Sequence, residues 1–282
     1  VSRDNGVPKF NSELIKIFEY NDSDGLEQIF EDNKGEMATV VLEPTIYEQP
    51  DTDFLKKVRK LCDDNNSVLI LDEIVTGFRF DLGGAQKFFD IKGDLVCFGK
   101  GMGNGLPISA ITGPTEYMKT FDELWVSSTN NSENISLAGT KAVINEMEEK
   151  QTIPHCWTTG KKLLEGWNKI VTKFNLDAKM YGYPVRMHLQ CFDSNKQESL
   201  EMKSFLLQEM IKQGIFISIL GATFISYSHS ESDIEKTLTA LENACGTIVK
   251  KVQNENYSEF LEGEVPKIIW GMKIPPTKKH TV

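Results

Sequence analysis

Two neighbouring carboxylates, Asp72 and Glu73, directly follow a short apolar run at residues 68–71. Such a run predicts a buried strand, and the ligands of open α/β sheets bind at the carboxyl ends of the strands. An acid in that position can hold a metal ion, pair with a cationic ring nitrogen, or cap the turn that follows the strand. Taken alone, the two carboxylates leave a binding role and a structural role open.

A single lysine, Lys100, stands among four glycines just after another apolar run, at residues 95–98. Glycine lets the backbone approach a ligand closely, and a lysine that is partly desolvated there can act as an amine nucleophile. The spacing matches neither the dinucleotide pattern GxGxxG nor the phosphate loop GxxxxGK[ST]. The alternative is a flexible glycine turn with an exposed lysine.

A third polar cluster, at residues 127–133, precedes a long helical pattern. Hydroxyl and N–H groups at a helix N-terminus can bind an anion, although N-capping is the commoner explanation. Taken together, a strand-end acid, a glycine-flanked lysine and a hydroxyl cluster suit pyridoxal 5′-phosphate. That cofactor needs an acid for its ring nitrogen, a lysine for a Schiff base and donors for its phosphate.

The elements that would position these residues alternate between strand and helix in the first half of the chain. Helical spacing predicts a helix over residues 53–65. Continuous apolar runs predict four strands of a largely parallel sheet that is covered on both faces. These runs lie at residues 38–43, 68–71, 95–98 and 108–112.

The second half has a different character and predicts a smaller α+β domain. Its helical patterns lie at residues 133–149, 156–174, 196–213 and 231–252. Two alternating segments, at residues 185–190 and 223–227, are typical of half-buried strands. We therefore expect an α/β fold with a larger domain in residues 1–150, a small α+β domain in 151–255 and a surface tail in 256–282.

Composition and charge narrow the classes of partner for this 282-residue chain. A net charge of −10 without an obvious basic face argues against nucleic acid. The apolar runs are far shorter than the ~20 residues of a membrane span. The five cysteines and four histidines are scattered, so no metal site is predicted and the thiols are expected to be reduced, as in a cytoplasmic protein.

The motifs resemble the class III aminotransferases, which are pyridoxal-phosphate enzymes of fold type I, and within them the branch of glutamate-1-semialdehyde 2,1-aminomutase and its aminotransferase relatives. The resemblance implies a large domain with a mostly parallel sheet, here partial, a small C-terminal α+β domain, and a homodimer. The matching stretches are residues 41–44, 54–63, 71–79, 83–86, 99–101 and 214–229.

The resemblance also implies roles for single residues. Lys100 matches the Schiff-base lysine, which also moves the proton between Cα and C4′, and Asp72 matches the acid that keeps the pyridine nitrogen protonated. Ile74 matches the branched residue on one ring face, and Thr129 the threonine that reaches the phosphate from the partner subunit. Glu48 matches the acid that neutralises a substrate-binding arginine in several transaminases; because the aminomutase branch is expected to have an amide there, Glu48 favours a transaminase.

Some features of the family pattern are missing or altered. The phosphate loop and the aromatic residue that stacks on the other ring face are not found in residues 1–40, so we expect the chain to be the C-terminal portion of a longer protein. Residues 130–132 are Asn-Asn-Ser where glycines are common, and the segment between Pro44 and Phe54 is short.

The sequence thus predicts pyridoxal-phosphate-dependent transamination, or intramolecular amino transfer, with a small-molecule amino donor and an oxo acceptor. Three alternatives remain. The protein could be a glutamate-1-semialdehyde 2,1-aminomutase proper, or an inactive fragment that keeps the fold. It could also be a nucleotide-binding ATPase-like module that uses residues 69–73 as its metal-binding strand, although the lack of a phosphate loop opposes this.

Overall fold

Four apolar runs form one sheet in the computed structural model, which describes residues 7–266 of the chain. The strands are β1 (Thr39–Leu42), β2 (Val68–Asp72), β3 (Leu95–Phe98) and β4 (Ala110–Thr112). They lie side by side in that order; β1, β2 and β3 are parallel, whereas β4 runs antiparallel to β3. The prediction of a largely parallel four-stranded sheet is therefore confirmed.

The helices that accompany this sheet are α1 (Lys9–Glu13), α2 (Ser23–Asp32), α3 (Phe54–Asp64), α4 (Gly84–Phe88) and α5 (Thr115–Met118). Helix α3 agrees with its prediction to within one residue at each end, whereas α2 was not predicted. Both α2 and α3 bury an apolar stripe against β1 and β2, the arrangement expected of amphipathic helices. The buried side chains of this core are Leu26, Phe30, Val40, Phe54, Leu55, Val58, Cys62, Leu69, Leu71, Ile91 and Val96.

The two faces of the sheet differ in burial. Leu69 and Leu71 are fully buried beneath the helices, because successive side chains of a strand point to opposite faces. The other face carries Ile70 and Asp72, and Val41 on that face is 55% exposed. Within residues 7–266 the expected cover on both faces is therefore not observed, and Asp72 lies on the more open side.

The second half is built around an antiparallel hairpin rather than a long sheet. Its elements are α6 (Asn134–Glu149), α7 (Thr152–Lys173), β5 (Ala178–Tyr183), β6 (Arg186–Cys191), α8 (Leu200–Ile211) and α9 (Glu231–Lys251). Helices α7, α8 and α9 pack with the hairpin around a core that includes Trp167, Met180, Met187, Leu189, Phe205, Leu206 and Leu241. We call residues 7–122 the sheet lobe and residues 152–260 the hairpin lobe.

Three details of the hairpin lobe differ from the sequence-based expectation. Strand β5 was not predicted, because its sequence, AKMYGY, does not alternate cleanly. All six residues of β6 are buried rather than every second one. Residues 223–227 do not form a strand and contribute a single bridge from Thr223 to Met187.

The two lobes meet through aromatic side chains and one ion pair. Phe80 of the sheet lobe packs edge-on against Tyr183 and Trp157, with ring centroids 4.8 and 5.7 Å apart. Arg186 of β6 forms an ion pair with Glu43, at 2.9 Å, and the arginine side chain is only 8% exposed. Because a buried ion pair is costly to break on one side, this contact fixes the hairpin lobe against the end of β1.

No helix within residues 7–266 is long and apolar enough to cross a lipid bilayer.

A buried histidine in β6 predicts a loss of stability in mild acid. His188 is 3% exposed, and its burial together with the nearby Lys203 charge lowers its pKa from 6.5 to about 4. Between these values the unfolded chain binds a proton that the folded protein does not, so the free energy of unfolding falls as the pH drops below 6.5 and stops falling below about 4. We expect a loss of about 2 kcal/mol, from ~1.36 kcal/mol per pKa unit with partial relaxation.

Urea unfolding of the wild type and of His188→Phe at pH 7.0, 5.5 and 4.5 measures this effect. The phenylalanine variant removes the titrating group and should have a shallower dependence on pH. Equal slopes for the two proteins would contradict the assignment to His188.

Candidate active site

Asp72 ends β2 and lies beside Cys97 of β3. One of its carboxylate oxygens, Oδ1, accepts the backbone N–H of Ile74 at 2.9 Å. That bond orients the carboxylate, and within residues 7–266 no lysine or arginine forms an ion pair with it. The second oxygen is therefore available to a ligand at the carboxyl edge of the sheet.

Glu73, the next residue, has a structural role in this part of the protein. It is fully buried and accepts hydrogen bonds from the Thr76 hydroxyl and from the backbone N–H groups of Ala85 (2.9 Å) and Gln86 (2.6 Å). Burial raises the pKa of this carboxyl, although the three hydrogen bonds act in the opposite direction. The sequence left the roles of the two acids open, and the structure separates them: Glu73 holds the start of α4, and Asp72 remains unpaired.

Lys100 is the second residue after the neighbouring strand, β3, and starts a short 3-10 helix, Lys100–Met102. Its φ of 41° is in the left-handed region, which costs a non-glycine residue about 1 kcal/mol or more. The side chain is exposed, so the partial desolvation expected from the sequence is not provided by residues 7–266.

Ile74 packs beside the lysine loop. A Cβ placed on Gly99 would lie 3.5 Å from Cγ2 of Ile74, which brings the turn after β2 into contact with the turn after β3. The structure therefore gathers Asp72, Ile74 and the backbone of Lys100 at one edge of the sheet.

Thr129 lies in an exposed segment before α6, and within residues 7–266 no contact joins it to Asp72 or Lys100. The N-terminus of α6 is capped by Glu133, whose carboxylate accepts the N–H groups of Ile135 (2.8 Å) and Ser136 (2.7 Å). Hydrogen bonds from Ser136 and Ile135 lower the pKa of Glu133. The cap is thus a carboxylate rather than one of the hydroxyl groups in the cluster.

Glu48 lies in the loop after β1, which also reaches the edge of the sheet. Its carboxylate is exposed, and its backbone oxygen accepts the Thr45 hydroxyl at 2.7 Å. The loop is held from the other side by Arg186, which donates to the Thr45 carbonyl at 3.2 Å and lies 5.2 Å from the centre of the Tyr47 ring. Sequence reasoning missed Arg186, which lies on the polar side of the alternating segment at 185–190.

The donor set at the sheet edge fits pyridoxal phosphate in part. An acid with one free oxygen, an unpaired primary amine and a branched apolar side chain are the groups that the ring nitrogen, the aldehyde and one ring face require. Within residues 7–266 no group of three or more histidine, cysteine or acidic side chains could hold a metal ion.

The overall fold is that of the fold-type I pyridoxal-phosphate enzymes. The FumI protein of Sphingopyxis sp. MTA144, solved in its PLP internal aldimine form, matches with a TM-score of 0.80 at 21% identity, covering 88% of this chain and 61% of that chain. An omega-transaminase from Sphaerobacter thermophilus matches with a TM-score of 0.77 at 21% identity, covering 86% and 59% of the two chains.

The chain belongs to the aminotransferase class-III family, whose model matches residues 6–245. The glutamate-1-semialdehyde 2,1-aminomutase of Alkaliphilus oremlandii is 33% identical over 268 residues, which cover 88% of this chain and 62% of that protein. The protein of the same name from Francisella philomiragia is 32% identical and is covered to 58%. The chain therefore spans about three-fifths of the length of these relatives, and the sequence-based prediction of the family is confirmed.

Proposed function

We propose that the protein containing this chain is a pyridoxal-phosphate enzyme that transfers an amino group between small amino and oxo compounds, or within one such compound. The proposal is carried by the positions of Asp72 and Lys100 at the ends of two adjacent strands. Neither side chain forms an ion pair within the described residues. In a class-III aminotransferase, an acid and a lysine in these positions would serve the ring nitrogen and the aldehyde of pyridoxal phosphate. Family membership gives no support to the ATPase-like alternative.

Pyridoxal phosphate, when bound, supplies an aldehyde for amine exchange and a ring that takes up the electron pair released at the substrate carbon. Asp72 would hold the proton on the ring nitrogen, since its Oδ1 is fixed by Ile74 and its other oxygen is free. Ile74 would keep water from one face of the ring. Lys100 would carry the cofactor and hold or move a proton at Nζ, because a primary amine can act as both acid and base.

The roles of Glu48 and Thr129 form a second part of the proposal. Glu48, on the loop held by Arg186, would face the substrate side of the edge, and Thr129 would reach the cofactor phosphate of a partner subunit in a homodimer. The exposure of Thr129 and the absence of contacts to Asp72 or Lys100 of its own chain support this assignment. Domain limits at residues 150 and 255, and a cytoplasmic location, also remain our proposals.

Transamination and aminomutation differ in one requirement: a transaminase needs a separate oxo acceptor, whereas an aminomutase does not. The relatives of highest identity named here are aminomutases, whereas the solved structures of similar fold include transaminases. The acid at Glu48 favours the transaminase, because an amide is expected there in the aminomutase branch.

Borohydride trapping tests the proposed function directly. The purified protein is incubated with pyridoxal phosphate, reduced and digested, and the modified lysine is located by peptide mass spectrometry. We expect one modified peptide, carrying Lys100, and no comparable modification of Lys92, an exposed lysine of the same lobe. Modification of other lysines alone, or of none, would refute the proposal.

A further inference from the structure

A second feature of the molecule, a cavity of about 480 Å³, lies between the two lobes and α6. Its walls include Arg79 of the sheet lobe, Ala142 of α6, Cys156 of α7 and Ser226 in the loop before α9. Neither Asp72 nor Lys100 lines it, although Gly101 does. Its volume is in the range of pockets that take small organic ligands.

Arg79 gives this cavity its charge. Its Nη1 donates to the backbone carbonyls of Val185 (3.3 Å) and Ile225 (3.1 Å), and its guanidinium lies 4.7 Å from the centre of the Phe224 ring. Burial lowers the pKa of this arginine, and within residues 7–266 no carboxylate forms an ion pair with it. Arg79 is only partly exposed and has neutral hydrogen-bond partners, so an anion in the cavity would offset the cost of desolvating its charge.

The remaining walls indicate what kind of anion fits. One carboxylate, Glu146, also lines the cavity and is paired with Lys150 on its own helix. A second negative charge on a ligand would meet Glu146, so a single anionic group is favoured. Apolar side chains such as Val143, Met147 and Ile153 cover much of the rest and favour an apolar body.

We propose that this cavity binds a small monocarboxylic acid, with the carboxylate on Arg79 and the apolar body against α6 and α7. A guanidinium presents several donors in one plane and binds a carboxylate through two of them. Ser226 and Tyr227, which carry hydroxyl groups, line the same cavity, and the Ser226 hydroxyl lies 3.0 Å from Nδ1 of His229. This proposal goes beyond the amino-transfer function and does not depend on it.

The alkylation rate of Cys156, which lines the cavity, can report the binding of a ligand. The thiol is half-buried on the wall; burial raises its pKa, while the Arg79 charge lowers it. A carboxylate bound on Arg79 should cover this thiol and remove the favourable charge, so alkylation should slow. We use 4-phenylbutyrate as the probe, its neutral amide as the matched control ligand, and iodoacetamide with peptide mass spectrometry as the readout, with no pyridoxal phosphate present.

We expect 4-phenylbutyrate to slow alkylation of Cys156 in a saturable manner, at concentrations at which the amide has little effect. Cys97, a partly exposed thiol beside Asp72, serves as the internal reference and should react at an unchanged rate. Arg79→Met should weaken the protecting affinity about tenfold or more, as expected for loss of a charged hydrogen-bonding partner. Arg79→Lys should retain part of it.

A second variant tests the cavity with Arg79 unchanged, so that the test does not depend on whether the Arg79 variants fold. Ala142→Phe places a large side chain on the cavity wall from an exposed position of α6 and leaves Arg79 intact. It should abolish protection, whereas Asn145→Phe, also exposed on α6 but outside the cavity lining, should not.

Equal protection by the acid and the amide, or unchanged protection in Ala142→Phe, would overturn the proposal. So would an absence of protection in the folded wild type, which is the result expected if another protein segment supplies the counter-ion of Arg79. Because the assay contains no pyridoxal phosphate, its failure leaves the borohydride experiment unaffected, and the reverse also holds.

Discussion

Replacing Lys100 with alanine is expected to lower the rate of amino transfer by about a hundredfold to ten-thousandfold, the range for loss of a positioned acid–base group. Of the side chains gathered at the sheet edge, Lys100 alone is a primary amine. Its replacement should leave the fold intact, because the side chain is exposed and makes no ion pair within residues 7–266.

The measurement is a single-turnover rate with the amino donor that the wild-type protein uses fastest, and the matched control is Lys92→Ala. The control should retain wild-type rates, since Lys92 is exposed and the preceding residue, Ile91, is buried in the core. A small primary amine added to the Lys100→Ala protein should restore part of the rate, as expected for a lost proton-transfer group. A Lys100→Ala protein that works within threefold of the control would rule out the proposed role.

Local patterns were sufficient to predict the strands that carry the site. Residues 68–71 and 95–98 are apolar throughout, and both form strands of the sheet at the predicted places. Asp72 ends the first of these strands and Lys100 lies two residues after the second, so a parallel arrangement brings them to one edge of the sheet. Membership of a known family could be recognised from the same short motifs.

Features that depend on distant packing could not be predicted in this way. The ion pair between Arg186 and Glu43 joins residues 143 positions apart, and no local pattern selects one partner for the other. The burial of every residue in β6 has the same origin, because helices cover one side of the hairpin and the loop after β1 covers part of the other. The exposure of the Lys100 side chain likewise depends on which distant segments pack around it, and a local pattern does not specify them.

Local sequence patterns also failed to predict two strand features, the antiparallel direction of β4 and the presence of β5. An apolar run such as residues 108–112 predicts a strand but carries no information on its direction. In β5 the glycine at 182, with a φ of 99°, interrupts the alternation that would have marked a strand. Both outcomes were decided by the connections and by packing rather than by periodicity.

The second prediction concerns Glu73, one of the two adjacent acids at the end of β2. Glu73→Ala should lower the free energy of unfolding by about 3 kcal/mol. The substitution leaves the N–H groups of Ala85 and Gln86 without their acceptor in a fully buried site, and each unsatisfied group costs about 1–3 kcal/mol. Gly84 packs directly against this carboxylate, since a Cβ on it would lie 2.6 Å from the Glu73 side chain.

Asp72→Asn provides the matched control, because the two acids are neighbours in sequence but differ in their contacts. An asparagine oxygen can still accept the Ile74 N–H, so its stability should remain within about 0.5 kcal/mol of the wild type. Urea unfolding at pH 7 measures both variants, and Asp72→Asn should instead impair cofactor-dependent activity. Equal destabilisation of the two would show that the division of roles is wrong, whereas opposite responses would confirm that one acid supports the fold and its neighbour is free for chemistry.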